Sequence, residues 1–264
     1  MSTTTSAAVG YLLHLADNAV VLGQRNAEWC GHGPILEEDL ALANMSLDLI
    51  GQARLLYQLV ADLQADGSTE DSLAYFRNTE EFRNYALVEL PNRVALVGYA
   101  KGDMDYATTT VRNFLYSALM ALVWERLQTS SNVQLAAIAA KSLKEVRYHL
   151  RHARDWLVRL GDGTAESHAR VQAALDHLMP YTQEFWPATP MEQEAARTGL
   201  GVAPQDLRAD WSAIVSSAVG EATLRESSSE GYVTQGKNCV HTEHLSFLLA
   251  EMQGLARAHP EAVW

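Results

Sequence analysis

Residues 37–64 read EEDLALANMSLDLIGQARLLYQLVADLQ, and this stretch decides the fold. Its apolar residues recur at the spacing of one α-helix, on two neighbouring stripes that together cover most of its circumference. The first stripe holds Leu42, Met45, Leu49, Leu56, Leu59 and Leu63, and the second holds Leu40, Ala43, Leu47 and Ile50. A helix that is apolar on most sides is predicted to lie in the middle of a helical bundle.

The same spacing predicts three more long helices, over about residues 6–29, about 106–129, and from Asn132 to the stop at Gly161-Asp162-Gly163. Shorter helices are predicted at about 79–90, 164–186, 190–198, 205–226 and 241–258, with 227–238 as the longest loop. No segment alternates apolar and polar residues as a strand would. We therefore expect an all-α protein, residues 1–264 as one domain, with a four-helix bundle core and additional C-terminal helices.

The composition limits the classes of partner. Apolar residues make up 48% and charged residues 20% of the 264 positions, which is typical of a globular protein. The net charge of −12 disfavours nucleic acid and anionic membrane surfaces, because both need clustered Lys and Arg. Small molecules and other proteins remain as partners.

The chain is expected to act in the cytoplasm. Its first residues have no basic segment, and His14 and Asp17 interrupt the apolar stretch, so a signal peptide is not predicted. No run is expected to reach membrane-spanning length. Cys30 and Cys239 are too few for a disulfide scaffold, and free thiols are typical of a reducing compartment.

A four-helix bundle invites a test for a di-iron site, which takes one Glu from each of two helices and Glu-x-x-His from the other two. The first helix offers Glu28, although a Glu at a helix end is commonly just exposed. The second offers Asp48, but Gly51 stands three residues later and has no side chain to bind metal. Asn44, Asp48 and Gln52 form a polar row that fits a buried hydrogen-bond network or a solvated edge equally well.

The other two long helices weaken the di-iron pattern further. No Asp or Glu occurs between Asp105 and Glu125, and the third helix supplies instead Ser117, Met120 and Trp124. The fourth helix has Glu145 and His149 four residues apart, with Val146 at the position three before the histidine. An i, i+4 pair can share a metal, but Lys141 pairing with Glu145 is the simpler explanation.

A second group of candidate donors opens the last helix. His241 and His244 are three residues apart and share a helix face, which could serve zinc if a third ligand came from elsewhere. Without the Glu of a known metalloprotease motif, a helix cap or a contact with another chain explains the pair better.

Three segments closely resemble one protein family. They are DNAVVLGQRNAEWCGHGPILEEDLALANMSLDLIGQAR at 17–54, LAAIAAKSLKEVRYHLRHARDWLVRLGDGT at 135–164 and HTEHLSFLLAEMQ at 241–253. The family is the C-type (PaaC-type) structural subunit of the phenylacetyl-CoA epoxidase complex, the bacterial ring-1,2-epoxidase of aerobic phenylacetate breakdown.

The resemblance implies a ferritin-like fold and a supporting role. It implies pairing with a catalytic A-type subunit that holds the di-iron centre, beside other epoxidase subunits, and a reductase subunit that passes electrons from NADPH through FAD and a 2Fe-2S cluster. It assigns no catalytic, cofactor-binding or metal-binding residue to this chain, so Glu28, Asp48, Glu145 and His149 would be remnants of a degenerate site.

Two alternatives stay open from the sequence. The chain could itself be a di-iron or di-manganese oxygenase subunit that uses those four remnants. It could also be a helical ligand-binding or regulatory protein without an oxygenase role. If it is a supporting subunit, we expect the partner surface around the glycine-rich turn after the first helix, at Trp29, His32 and Leu36.

Overall fold

The computed structural model describes residues 3–93, 104–231 and 233–262. Residues 94–103, and Tyr232 in the predicted loop 227–238, lie outside this part of the chain. Ten α-helices lie within the described residues: α1 Thr3–Ala27, α2 Leu36–Gln64, α3 Glu70–Tyr75, α4 Ala86–Glu89, α5 Tyr106–Leu127, α6 Val133–Gly161, α7 Ala165–Leu178, α8 Pro190–Arg197, α9 Arg208–Glu221 and α10 Glu243–Ala258. Four 3-10 helices lie within the described residues, at Thr79–Glu81, Met179–Phe185, Pro204–Leu207 and Gly236–Asn238.

The four long helices α1, α2, α5 and α6 form the bundle. α1 packs against α2, α5 packs against α6, and α2 faces α6 across the bundle. The shorter helices from α7 onward cover the ends and sides, and no strand occurs in the described residues beyond a single bridge between Gln235 and Val240. The prediction of an all-α, ferritin-like bundle with additional C-terminal helices is confirmed.

The helix at the centre of the bundle is α5, not α2. Every side chain of α5 from Ala107 to Met120 is buried, and the hydrophobic core extends from Val9 on α1 to Leu249 on α10. The prediction that α2 lies in the middle was wrong, because only its first apolar stripe faces the core. Leu40, Leu47 and Ile50 of the second stripe are exposed, so an apolar circumference does not by itself place a helix inside.

The helix predicted over 79–90 does not form as such. The chain makes the short helix α3 before it, and Thr69 caps that helix by accepting a hydrogen bond from the Ser72 amide. The residues before α4 are extended instead, because buried side chains of α1 accept hydrogen bonds from their backbone amides. Asn18 accepts from the Tyr85 amide at 2.9 Å and Asp17 from the Arg83 amide at 2.8 Å.

One described helix reaches membrane-spanning length and hydropathy, contrary to the sequence-based expectation. Residues Thr5–Ala27 of α1 meet both criteria, with a mean hydropathy of 1.2. However, 78% of that apolar window is buried inside the protein. The apolar character of α1 is therefore explained by its packing against the other helices of the bundle.

Candidate functional site

Facing side chains of α2 and α6 form a hydrogen-bonded seam, which we define as Asp48, Gln52, Glu145 and His149. The His149 Nε2 and Asp48 Oδ2 atoms are 3.0 Å apart, and Gln52 Nε2 donates to Glu145 Oε2 at 2.9 Å. Lys141 Nζ approaches the other Glu145 oxygen at 3.3 Å. Three of the four sequence-predicted candidates are thus brought together, and their donor atoms are engaged with each other or with an amide and an ammonium group.

The polar row predicted on α2, Asn44, Asp48 and Gln52, is hydrogen-bonded to α6 at one end and exposed to solvent at the other. Gln52 is buried, Asp48 is half-buried and Asn44 is exposed. The sequence left a buried network and a solvated edge equally open, and each describes part of the row. The hydrogen-bonded part joins α2 to α6 at the place where a metal would bridge the helices of a di-iron bundle.

The two buried seam residues Gln52 and His149 show where the matching carboxylates of a Glu-x-x-His pair would stand. Three residues before them on the chain are Leu49 and Val146, and both are buried. Apolar side chains therefore occupy both positions that would supply the carboxylates. Gly51 faces away from the packing, since a Cβ atom built there has no heavy atom within 4 Å. The α2 part of a di-iron site is therefore missing for two reasons. The buried face has Leu49 where a carboxylate would be needed, and Gly51 has no side chain to bind a metal.

α5 adds no metal donor to the interior. Ser117, Met120 and Trp124 are all buried, so the positions predicted to face inward do so. The indole Nε1 of Trp124 has no hydrogen-bond partner within the described part of the chain. In this helix, buried side chains such as Met120 and Trp124 occupy the bundle centre, where a di-iron subunit would have a carboxylate.

Glu28 is not part of the seam. Its carboxylate accepts hydrogen bonds from Arg25 Nη1 at 2.5 Å and from Asn92 Nδ2 at 2.8 Å, both near the C-terminal end of α1. Arg25 in turn donates to the backbone oxygen of Glu89 at 2.6 Å. Glu28 therefore helps to fix the chain that follows α4, and the structure does not bring it to Asp48, Glu145 or His149.

His241 and His244 also serve separate purposes. The Nδ1 atom of His241 is 2.9 Å from Glu89 Oε1, and its Nε2 is 2.8 Å from the backbone oxygen of Phe82. Thr242 caps α10 by accepting from the His244 amide. Burial lowers the pKa of His244, whereas for His241 the effect of burial is outweighed by its bond to Glu89, and its pKa is raised. His241 thus anchors the start of α10 through both ring nitrogens, whereas His244 takes part in the helix cap through its backbone amide.

A second histidine–carboxylate pair escaped the sequence analysis. His152 Nε2 lies 2.9 Å from Glu38 Oε2, and the Tyr106 hydroxyl donates to the same oxygen. Burial and the bond to Glu38 raise the pKa of Tyr106 well above its usual range. The three residues come from α2, α5 and α6, so no spacing within one helix could have indicated the cluster. It ties these helices together, and on α6 it lies next to the seam, since His152 is three residues after His149.

The side chain of Trp29 belongs to the interior and not to a partner surface. It is 4% exposed, its Nε1 donates to Thr109 Oγ1 at 2.9 Å, and its ring lies edge-on to Tyr106 at 5.7 Å. The expectation of a surface anchor at Trp29 is corrected accordingly, because a Trp beside a turn can as well fill the core next to it. His32 and Leu36 are exposed, and their contact with a partner stays a prediction.

The residues present do not fit a di-iron centre, which takes four carboxylates and two histidines. Glu28 is remote, the interior positions of α2 and α6 that would hold Glu are Leu49 and Val146, and α5 offers none. Within the described ranges, no three His, Cys, Asp or Glu side chains are grouped so that they could hold a metal ion. Cys30 and Cys239 are both free thiols.

The fold and the seam together define a ferritin-like helical bundle whose interior is joined by hydrogen bonds. The sequence profile of the phenylacetic acid catabolic protein family matches residues 1–264, and the chain belongs to that family. It is similar to the C subunit of the 1,2-phenylacetyl-CoA epoxidase of Escherichia coli (strain K12), with 44% identity over 254 residues. The match covers 96% of this chain and 98% of the relative.

Proposed function

We propose that this chain is a supporting, non-catalytic subunit of a multicomponent phenylacetyl-CoA epoxidase that acts in the cytoplasm in phenylacetate breakdown. It pairs with a catalytic A-type subunit, which holds the di-iron centre and epoxidises the ring. A reductase subunit delivers electrons from NADPH through FAD and a 2Fe-2S cluster. The similarity to the C subunit of such an epoxidase over nearly the whole chain supports this assignment.

One observation carries the non-catalytic part of the proposal. Asp48 and His149, the best candidates for metal ligands, are bonded to each other at 3.0 Å, while Leu49 and Val146 occupy the interior positions where carboxylates would be needed. A metal would have to break this hydrogen bond and would still lack carboxylates from α5. The hydrogen bonds of the seam fix the spacing between α2 and α6. A rigid bundle of this kind can hold the ligand geometry of a partner that packs against it.

The alternative is that this chain binds iron or manganese and performs the oxygenation itself. It predicts that His149 is indispensable. To separate the two, we would express the full set of epoxidase subunits with this chain either unchanged or as His149→Ala, with the matched seam variant Gln52→Ala as control. The readout is NADPH- and O2-dependent conversion of phenylacetyl-CoA by the purified complex.

The supporting role predicts that both variants lose a similar, small part of the activity, within about threefold of the unchanged complex, since each removes one hydrogen bond worth about 1 kcal/mol of stability. A loss of about a thousandfold for His149→Ala, with Gln52→Ala near the unchanged value, is what removal of a metal ligand would give. That result would refute the supporting role.

A further inference from the structure

A row of four exposed apolar side chains runs along α2, with the half-buried Ala43 between its second and third members. Leu36 and Leu47 have 71% and 67% of their surface exposed, and the members of the row, all on one side of the helix, are Leu36, Leu40, Leu47 and Ile50. At the rise of an α-helix the row is about 21 Å long. Apolar residues scattered singly are ordinary on a protein surface, whereas a row of this length marks an interaction site.

The surface beside the row is flat. Gly51 lies one residue after its last member, and a Cβ atom at this position would meet open space. Small residues between larger apolar ones allow a neighbouring helix to approach closely, with its side chains inserted between the leucines. The geometry therefore suits a second helix laid along α2 better than a loop or a small ligand.

A basic ridge lies on the outer side of α6, next to the seam. Lys144 and Arg151 are exposed and, among the described residues, have no carboxylate partner, while the Arg151 guanidinium lies 5.7 Å from the ring of Tyr148. Other basic residues of α6 do have partners: Lys141 with Glu145, Arg147 with Glu125 and Arg154 with Glu221. In a chain of net charge −12, two unpaired cations on one ridge point to negative charge outside the chain.

We propose that the apolar row of α2 and the basic ridge of α6 form one docking surface, here named the α2–α6 face. Its occupant is a different, helical protein of the epoxidase that presents an apolar strip flanked by carboxylates. This inference rests on the proposed supporting role in the epoxidase and specifies the surface through which that role is exercised. Tyr148, which is exposed between the seam and the two cations, provides the aromatic anchor at the junction of row and ridge.

Charge argues against a second copy of this chain as the occupant. In a two-fold symmetric contact, each residue of the face meets a residue of the same face on the other copy. The ridge would then lie either on the other ridge, where two cations from each copy would face one exposed carboxylate from each, Asp155, or on the other apolar row. Such a contact would bury unpaired charge, whereas an acidic partner neutralises it.

The test measures binding between this full-length chain and the remaining epoxidase subunits, purified together without it. Two double variants change the face: Leu40→Glu with Leu47→Glu, and Lys144→Glu with Arg151→Glu. Each of two controls carries a single change of the same kind elsewhere, Leu255→Glu on α10 or Arg126→Glu at the end of α5, at residues that are both exposed. Circular dichroism verifies the fold of each variant.

We expect the apolar double variant to weaken binding by about 100-fold or more, because two anchor residues are lost from the centre of the contact. The charge double variant should slow association by about tenfold at low salt and remove most of its salt dependence. The two controls should bind within about twofold of the unchanged chain.

Unchanged binding by both double variants, while the unmodified chain binds, would overturn the docking surface but leave the supporting role intact. If instead the unmodified chain does not bind the other subunits at all, the proposed function itself fails. If the apolar variant turns a dimer of this chain into monomers and leaves binding to the other subunits unaltered, the occupant is a second copy and the inference is wrong.

Discussion

Single side chains in this protein achieve by hydrogen bonding what a metal would achieve in a di-iron bundle. His149 is 1% exposed and faces Asp48 at 3.0 Å, so neither group is left unpaired in the interior. Elsewhere Asp17 is fully buried and accepts from Arg77, from the Tyr57 hydroxyl at 2.6 Å and from the Arg83 amide at 2.8 Å. The buried charge of Asp17 therefore has several partners, as the cost of desolvation requires.

The pH dependence of stability can be predicted for His241. Both of its ring nitrogens face acceptors, the Glu89 carboxylate and the Phe82 carbonyl, so the protonated ring is the form that satisfies both. Burial lowers the pKa of His241, but the hydrogen bond and charge of Glu89 outweigh it and raise the pKa above 6.5. A raised pKa in the folded state adds stability that is complete below the unfolded-state pKa and is lost as pH rises through the folded-state pKa.

We therefore expect the free energy of unfolding of the unchanged chain to exceed that of a His241→Gln variant most at about pH 6. The difference should shrink as the pH is raised to about 8.5. Comparing two variants is necessary because burial lowers the pKa of His14, which acts in the opposite direction. Urea unfolding at several pH values gives the difference, and Glu89→Gln should also abolish the trend. A gap that is constant or widens with pH would contradict this account.

The sequence indicated some of these residues and not others for a physical reason. Asp48, Glu145 and His149 could be predicted because helical spacing within α2 and α6 placed them on candidate inner faces. The cluster of Glu38, Tyr106 and His152 could not, since its members come from three helices and meet only after the bundle has formed. Pairings of this kind depend on tertiary packing, which spacing along one helix does not encode.

Among the elements, α2 shows how an apolar pattern can mislead. Two stripes predicted burial on most sides, but one stripe packs into the core and the other is exposed in this chain. The prediction over 79–90 failed for a related reason, because Asp17 and Asn18 of α1 capture the backbone there and hold it extended. By contrast, the long helices α5 and α6 were predicted to within about two residues, since strong periodicity and capping by Asp105 and Asn132 act locally.

Two glycines in these helices should respond oppositely to the same substitution. Gly51→Ala should raise the free energy of unfolding by about 0.5 to 1 kcal/mol, because the added methyl group meets open space and reduces the freedom of the unfolded chain. Gly161→Ala should lower it by about 1 to 3 kcal/mol, since its Cβ would lie 2.5 Å from the Ala222 carbonyl oxygen.

Chemical denaturation of the chain alone measures both changes. A loss of stability in Gly51→Ala would mean that position 51 is packed after all. The conclusion that Gly51 faces away from the packing would then fall.

For the molecule as a whole, the helices form a ferritin-like bundle in which the described residues do not group the donors of a di-iron centre. α5 fills the centre, the seam joins α2 to α6, and a long apolar row is exposed on the α2–α6 face. The class of fold followed from the sequence, because four long periodic helices leave few other arrangements. The partner surface did not, since burial of Trp29 and exposure of Leu47 become known only in the folded chain.

The central claim is that this chain supports a metal-containing partner and holds no metal itself. Elemental analysis of iron tests it most directly, on this chain purified alone and on the same chain co-expressed with its catalytic partner. The account predicts a lone chain that is essentially free of iron, with iron present only in the complex. About two irons per lone chain, the number that a di-iron bundle holds, would contradict it and make Glu145 and His149 the first residues to mutate.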